Sequence, residues 1–336
     1  MREADLLALH ERFPARYPVL LESVSGAEPL GRHDVLFALP AEQLSRLPDG
    51  SLAGDVRERA GGGRFLDALD RWVARERGAG DVVPSGAVFA DGWFLYLGYE
   101  LAGEIEPTLR LPASRLPSAV AWRMRGALLR DRRTREVRIV AGDAGHLEQL
   151  RRQVQADVAA IAGADQRMPP AVLATVVEEQ DPQVFLEGMR EVLEAIARGD
   201  VYQANLSRSW RARLAPGATV PDLYQALRRA NPAPFAALAQ FSDFALLSSS
   251  PERLLQLQDG VASTRPIAGT RPRGQDDAAD AALKRELKLN EKERAEHVML
   301  VDRERNDLGR ICRGGTVEVD EFMTIETYAT VHHIVS

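Results

Sequence analysis

Glu293 and Glu296 stand three residues apart in a run of helical character, so both carboxylates fall on one helix face. Oxygen donors paired in this way suit Mg²⁺, which takes few protein ligands and keeps several waters. Beside Lys292 and Arg294 the same pair also reads as a solvated acidic face. Glu252 follows a strand-like run and Pro251 in SSSPERLL. Burial there would raise its pKa and make it a general acid, whereas an exposed turn glutamate would stay ionised. The stretch RPIAGTRPRG, residues 265–274, lacks the Gly-Lys-Ser/Thr ending of a phosphate-binding P-loop. The backbone N–H groups of Gly269 and Thr270, with the threonine hydroxyl, suit a carboxylate as well as a phosphate. A plain turn with solvated arginines is the other reading. His332 and His333 end a strand-like run on opposite faces, so one should point inward, as a catalyst or as a satisfied core group. No Gly-x-Ser-x-Gly is present, and Cys312 in GRICRGG has no feature of a low-pKa thiolate.

These groups need a scaffold. Before residue 162, AVFADGWFLYLGYEL and EVRIVAG read as strands and HLEQLRRQVQADVAAIAG as a helix. The segment 162–172, with its Gly and Pro-Pro, reads as a linker. After it, Asp181 and Pro182 start a helix with apolar residues at helical spacing, and Gly199 stops it. Residues 201–214 alternate with period two, which predicts one strand with Gln203 and Asn205 on its polar face. VPDLYQALRRANP reads as a short helix. PFAALAQF, FALLSSS and RLLQLQDGVAS read as strands, the last with an Asp259-Gly260 turn. Residues 276–309 read as one long charged helix, and 315–336 as strand. Adjacent strands mixed with helices imply α+β rather than regular βαβ.

The 336 residues suffice for a large core or two packed halves. A formal net charge of -6 argues against a dedicated nucleic-acid binder. A single cysteine excludes an internal disulfide and any multi-cysteine metal site. The first residues carry acids and arginines where a signal peptide needs an apolar core, and no apolar run reaches membrane-span length. The expectation is a soluble, cytoplasmic protein with no membrane contact.

Taken in order, GDVYQANLSR (199–208), SSSPERLL (248–255), STRPIAGTRPRG (263–274), EKERAEHVMLVDRERNDLGRIC (291–312) and YATVHHIVS (328–336) resemble the chorismate-binding enzyme family. LLESVSGAEPLGRHDVLFALP (20–40) and LGYELAGEIEP (97–107) look like its N-terminal part. The resemblance implies a four-layer α/β/β/α fold with two orthogonally packed, mainly antiparallel sheets. It divides the chain into an N-terminal part, 1–165, and a chorismate-binding catalytic domain, 175–336. It further implies Mg²⁺ on Glu296 with Glu293 helping, substrate on Gly269 and Thr270, Glu252 as the acid for the C4 hydroxyl, and His333 near that leaving group.

Members that add water to chorismate carry a lysine base where Gln203 stands here, so the resemblance favours an ammonia-using member. Asn205, Arg253 and NPAPFAA are more like aminodeoxychorismate synthase component I than anthranilate synthase component I. Ala268 points the other way, because a lysine there is proposed to attack the ring so that ammonia ends at C4, and a methyl closes that covalent route. Leu21, Glu22 and Ser23, with Asn231, Pro232 and Phe235, resemble the pieces that hold tryptophan in the family; packing of the sheet is the alternative. Ammonia would come from a separate glutamine amidotransferase subunit or from solution. The family continues beyond HHIVS with a glycine-rich loop, a second metal-binding glutamate and a carboxylate-gripping arginine. The expectation is therefore a C-terminally truncated active site, with a non-catalytic fragment as the alternative.

Overall fold

Residues 33–46 and 119–131 are apolar at adjacent as well as alternate positions, the pattern of strands covered on both faces. They form the long central pair in the computed structural model, which describes residues 5–24, 31–58, 61–76, 88–89, 91–162 and 168–336. The chain divides into two compact units, Met1–Ala164 with Arg228–Ser336, and Asp165–Leu227. This packing is cut differently from the 1–165 and 175–336 division of the sequence. Part of the expected linker, 163–167, and residues 87 and 90 of the expected strand 87–101 lie outside the described residues.

The first unit begins with α1 (Leu6–Arg12), β1 (Val19–Glu22), β2 (His33–Arg46) and β3 (Leu52–Ala53). It continues with α2 (Phe65–Glu76), β4 (Gly92–Leu97), α3 (Ala102–Ile105), β5 (Ala119–Asp131), β6 (Val137–Ala141) and α4 (Ala144–Ala162). In the second unit are β7 (Ala174–Glu179), α5 (Pro182–Arg198), β8 (Trp210–Leu214) and the start of α6 (Val220–Ala230). The first unit resumes with β9 (Phe235–Gln240), β10 (Ala245–Ser250), β11 (Gln256–Gln258), β12 (Val261–Ser263) and β13 (Ile267–Pro272). The helices α7 (Asp277–Leu289) and α8 (Glu291–Gly309) and the strands β14 (Thr324–Thr327) and β15 (Val331–Val335) complete it.

The large antiparallel sheet runs β10-β9-β1-β2-β5-β4, with β3 on β2 and β6 on β5. β1 joins the two halves of the sequence, because Leu21 pairs with Val35 on one side and Ala237 on the other. One face buries Val19, Phe37, Met124 and Ala239 under an aromatic stack. The turn of the β9–β10 hairpin supplies Phe241 and Phe244, stacked at 4.3 Å between ring centroids, and Trp122 of β5 stacks on Phe241 at 5.2 Å. Near the far end of β5, α2 lays Phe65, Ala68 and Trp72 against Leu44, Ala119 and Ala121. The chain is thus α+β with several antiparallel sheets, as expected.

Four expected elements differ; the strand expected over 87–101 is, among its described residues, strand only over Gly92–Leu97, and Tyr99–Leu101 turns as a short 3-10 helix. The period-two run 201–214 is strand only over Trp210–Leu214, because its partner β7 ends at Glu179 and the chain then turns at Asp181 into α5. Alternation without a neighbouring strand to pair with leaves 203–209 irregular. The single long helix is two, α7 and α8. Asn290 leaves helical dihedrals (φ -67°, ψ 114°), and its side chain accepts the Glu293 N–H at 3.0 Å. Asn-x-x-Glu is a capping-box signal that the charged pattern hides. The terminal run 315–336 is strand only over β14 and β15.

Other expectations hold in detail. Asp181 caps α5 by accepting the Gln183 N–H at 2.9 Å, and Gly199 closes it at φ 78°, where a glycine is free of Cβ strain. Asp259 and Gly260 both have positive φ, 51° and 79°, and turn β11 into β12.

The aromatic stack should carry much of the large sheet's stability. Phe241→Ala is expected to lower the unfolding free energy by about 3–4 kcal/mol, read by urea titration, with Phe241→Leu losing distinctly less.

Candidate functional site

The opening turn is built on a second sheet, β13-β15-β14. Ala268 pairs with Ile334, and Thr270 pairs with His333, with a bulge at the intervening Gly269. Gly269 has φ 80°, the left-handed region that glycine adopts without strain. A Cβ there would sit 3.1 Å from Leu287 Cδ1 and 3.1 Å from Glu293 Oε2. The bulge therefore re-aims the strand and lets backbone approach the helix carboxylate. Beyond it, Thr270 Oγ1 shares a 2.9 Å hydrogen bond with His333 Nδ1. Burial holds the His333 pKa below its usual value, against a backbone hydrogen bond at Gly269 and the charge of Glu326. Its ring is therefore neutral at neutral pH.

Glu252 lies in the turn after β10. Its residue surface is exposed, but Oε1 turns back to accept the Ile267 N–H at 3.0 Å, at the start of β13. Loss of solvent around the carboxyl raises its pKa; the Ile267 bond opposes this and the negative charge of Glu304 adds to it. A carboxyl poised in this way has the character of a general acid.

Glu293 and Glu296 lie on the first turns of α8. Glu293 Oε1 accepts from Arg271 Nη1 at 3.1 Å, and its other oxygen lies against the bare Cα side of Gly269. Among the described residues no three His, Cys, Asp or Glu side chains gather as a metal site.

Asp280 of α7 ties these pieces together. It accepts from Arg273 Nε at 2.8 Å, from the Gly274 N–H at 2.9 Å and from His332 Nε2 at 2.9 Å. Its carboxyl is held well below the usual range, chiefly by the Arg273 hydrogen bond. Both histidines are buried, so the expectation that one points inward undercounts. β15 is the middle strand of its sheet, and α7 packs on β13 and β15, so His332 finds Asp280 while His333 finds Thr270. Tyr328 packs edge-on against the His333 ring at 5.5 Å and donates to Glu326 Oε2 at 2.6 Å. Glu326 in turn accepts from Arg265 Nε at 3.0 Å.

Residues 57–336 match the family described as chorismate binding enzyme. This chain belongs to that family. Among its relatives is the anthranilate synthase component I-like protein of Synechocystis sp., 36% identical over 256 residues, 76% of this chain and 52% of that protein. Aminodeoxychorismate synthase component 1 of Bacillus subtilis is 49% identical over 152 residues, 45% of this chain and 32% of that protein. The chain thus spans about half the length, or less, of these relatives. A solved anthranilate synthase component I from Streptococcus pneumoniae superposes with a TM-score of 0.73 at 24% identity, over 92% of this chain and 69% of that one. The fold is of that type.

Contacts link Glu252, the β13 stretch from Ile267 to Thr270, His333 and Glu293; Glu296 stands three residues further along α8. Ala268 is buried, its residue 5% exposed, with no amine in reach of a substrate from its side chain. Gln203 belongs to the second unit, in the irregular stretch before β8. Ser23 Oγ donates to the Pro234 carbonyl at 2.8 Å, and the Asn231 carbonyl accepts from Ser249 Oγ at 2.5 Å. Leu21 packs into the aromatic core, while the Glu22 carboxylate meets Arg130 and Arg228. Pro232 and Phe235 lie at the entry to β9. Sequence reasoning missed Arg271, Asp280, Glu304, Glu326 and Tyr328, whose roles arise from contacts that no local spacing encodes.

Two outcomes test this geometry. Gly269→Ala is expected to cost about 1–2 kcal/mol from the left-handed backbone alone, more if Glu293 cannot yield, measured by denaturant unfolding. Glu304→Gln removes a negative charge that favours protonated Glu252, so the Glu252 carboxyl should titrate at lower pH by carbon-13 NMR. An unmoved titration would remove Glu304 from the site.

Proposed function

We propose that the chain is the chorismate-aminating component of an aminodeoxychorismate synthase, forming 4-amino-4-deoxychorismate with ammonia from a glutamine amidotransferase subunit. One observation carries the reading: a carboxyl of raised pKa, Glu252, is held at the head of β13, whose bulge presents Gly269 and Thr270, and Thr270 meets His333 of β15. That is the arrangement needed to lose a poorly leaving hydroxyl.

In the net reaction the ring's C4–O bond breaks, a C–N bond forms, and water leaves. Glu252 gives its proton to the departing C4 oxygen. Neutral His333, oriented by Thr270 and Tyr328, lies beside that step as a hydrogen-bonding group. The Gly269 and Thr270 backbone binds a substrate carboxylate. Glu296 with Glu293 would hold Mg²⁺, which when bound offsets the charge of a substrate carboxylate. Gln203, a neutral amide, supplies no base for water addition. The similarity to the Bacillus subtilis aminodeoxychorismate synthase component supports the 4-amino product. Tryptophan, at Leu21–Ser23 and Asn231–Phe235, belongs to this reading as a structural or regulatory ligand.

Ala268 favours a second reading, the 2-amino chemistry of an anthranilate synthase, which the Synechocystis relative's name also carries. Incubation with chorismate, ammonium and Mg²⁺ decides between them. p-Aminobenzoate formed only when aminodeoxychorismate lyase is added supports the first; anthranilate formed without lyase supports the second. Absence of both products overturns the aminating assignment for this chain. In the active protein, Glu252→Gln is expected to lower kcat by about 10²–10⁴-fold with chorismate KM little changed. Because the acid must be protonated, wild-type kcat should fall as pH rises through the elevated Glu252 pKa, and Glu304→Gln should move that fall to lower pH.

A further inference from the structure

Successive side chains of β1 point to opposite faces. Leu21 goes into the aromatic core, and Glu22 goes the other way. On the Glu22 side lies an open cleft of about 580 Å³, a volume suited to a small organic ligand rather than a single water. Its lining is charged, unlike the apolar and aromatic face around Leu21.

Arginines come to this cleft from three places. Arg130 and Arg132 stand at the end of β5, Arg135 in the following turn, and Arg228 and Arg229 on the last turn of α6. Like charges gather only around counter-charge. Asp34, fully buried, accepts from Arg130 Nε at 2.7 Å and from Arg132 Nη1 at 3.0 Å. Glu22 accepts from Arg130 Nη2 at 3.0 Å and from Arg228 Nη1 at 2.9 Å. These two acids fix three guanidinium groups in place from below. Arg135 and Arg229 have no carboxylate partner among the described residues, and both are exposed at the rim. Asp5, the other acid among the described lining residues, has one oxygen occupied by the N–H groups of Leu7 and Ala8. Among the described residues, five arginines at the cleft thus meet two lining acids, Glu22 and Asp5, and the buried Asp34 beneath them, an excess of two positive charges.

We propose that this cleft is a binding site for a small molecule carrying at least two negative charges, as phosphate or carboxylate groups. Forked guanidinium groups recognise both geometries in bidentate fashion, and three of them are already ordered by Glu22 and Asp34. Arg135 and Arg229 close on the ligand from the rim. The site lies on the opposite face of β1 from Leu21 and uses none of the residues of the chorismate site; it shares only Glu22 with the tryptophan pocket of the proposed function.

Isothermal titration of the whole chain with pyrophosphate and with citrate, at ionic strength matched by NaCl, tests it. Saturable one-site binding is expected for one or both probes, weakening as salt rises. Pyrophosphate alone identifies phosphate chemistry, and citrate alone identifies carboxylate chemistry. The double variant Arg135→Ala/Arg229→Ala, changed only at exposed positions, should bind at least tenfold more weakly. Arg213→Ala, on β8 outside the cleft, should bind as the parent does. The proposal is overturned if neither probe binds beyond the NaCl control, or if the double variant binds as tightly as the parent.

Discussion

A single carboxylate, Asp280, organises the part of the first unit that holds the candidate site. It takes a hydrogen bond from the Arg273 side chain, one from the Gly274 backbone and one from His332. These donors come from the segment after β13 and from β15, while Asp280 itself rides on α7. A carboxylate with several donors stays ionised and tolerates burial, where a lone one would not. Its bonds therefore clamp the end of the opening stretch, the histidine strand and a helix into one frame. With β13 and β15 locked in register, Thr270 must face His333, and the bulge must fall at Gly269.

The chemistry of the site follows from how charge is distributed in that frame. Arg271 occupies one oxygen of Glu293, and Glu326 occupies Arg265, so most charges are balanced locally. Glu252 is the exception in kind. Its main partner is a backbone N–H, it has lost solvent, and the nearby charge of Glu304 is of the same sign. Desolvation and like charge both favour the protonated carboxyl, and one hydrogen bond to its ionised form does not cancel them. His333 is pushed in the complementary direction, toward the neutral ring. An acid whose pKa is raised and an imidazole whose pKa is lowered suit loss of a hydroxyl group better than hydrolysis by a charged base.

The same rule of paired charge explains the far side of β1. Glu22 and Asp34 are buried among arginines because each carboxylate answers more than one guanidinium. Breaking such a network by removing one acid would leave cations crowded together, whereas the exposed arginines at its edge can be changed without that penalty. The large sheet can thus hold an aromatic face and an arginine face on opposite sides of one short strand.

The sequence by itself determined the family, the α+β class and the elements whose ends carry local signals. The α5 cap at Asp181, its glycine stop and the Asp259-Gly260 turn are set by neighbouring residues, so they could be read directly. The motif residues Glu252, Gly269, Thr270, Glu293, Glu296 and His333 were named from their order along the chain. The tertiary structure decided what local pattern leaves open. Alternation at 203–209 made no strand, because a strand needs a partner and β7 had already ended. Charge masked the Asn290 break between α7 and α8. The burial of both histidines, the like-charge pressure on Glu252 and the Asp280 clamp depend on residues tens of positions apart. Burial and electrostatics act through space, and only the folded chain sets those distances.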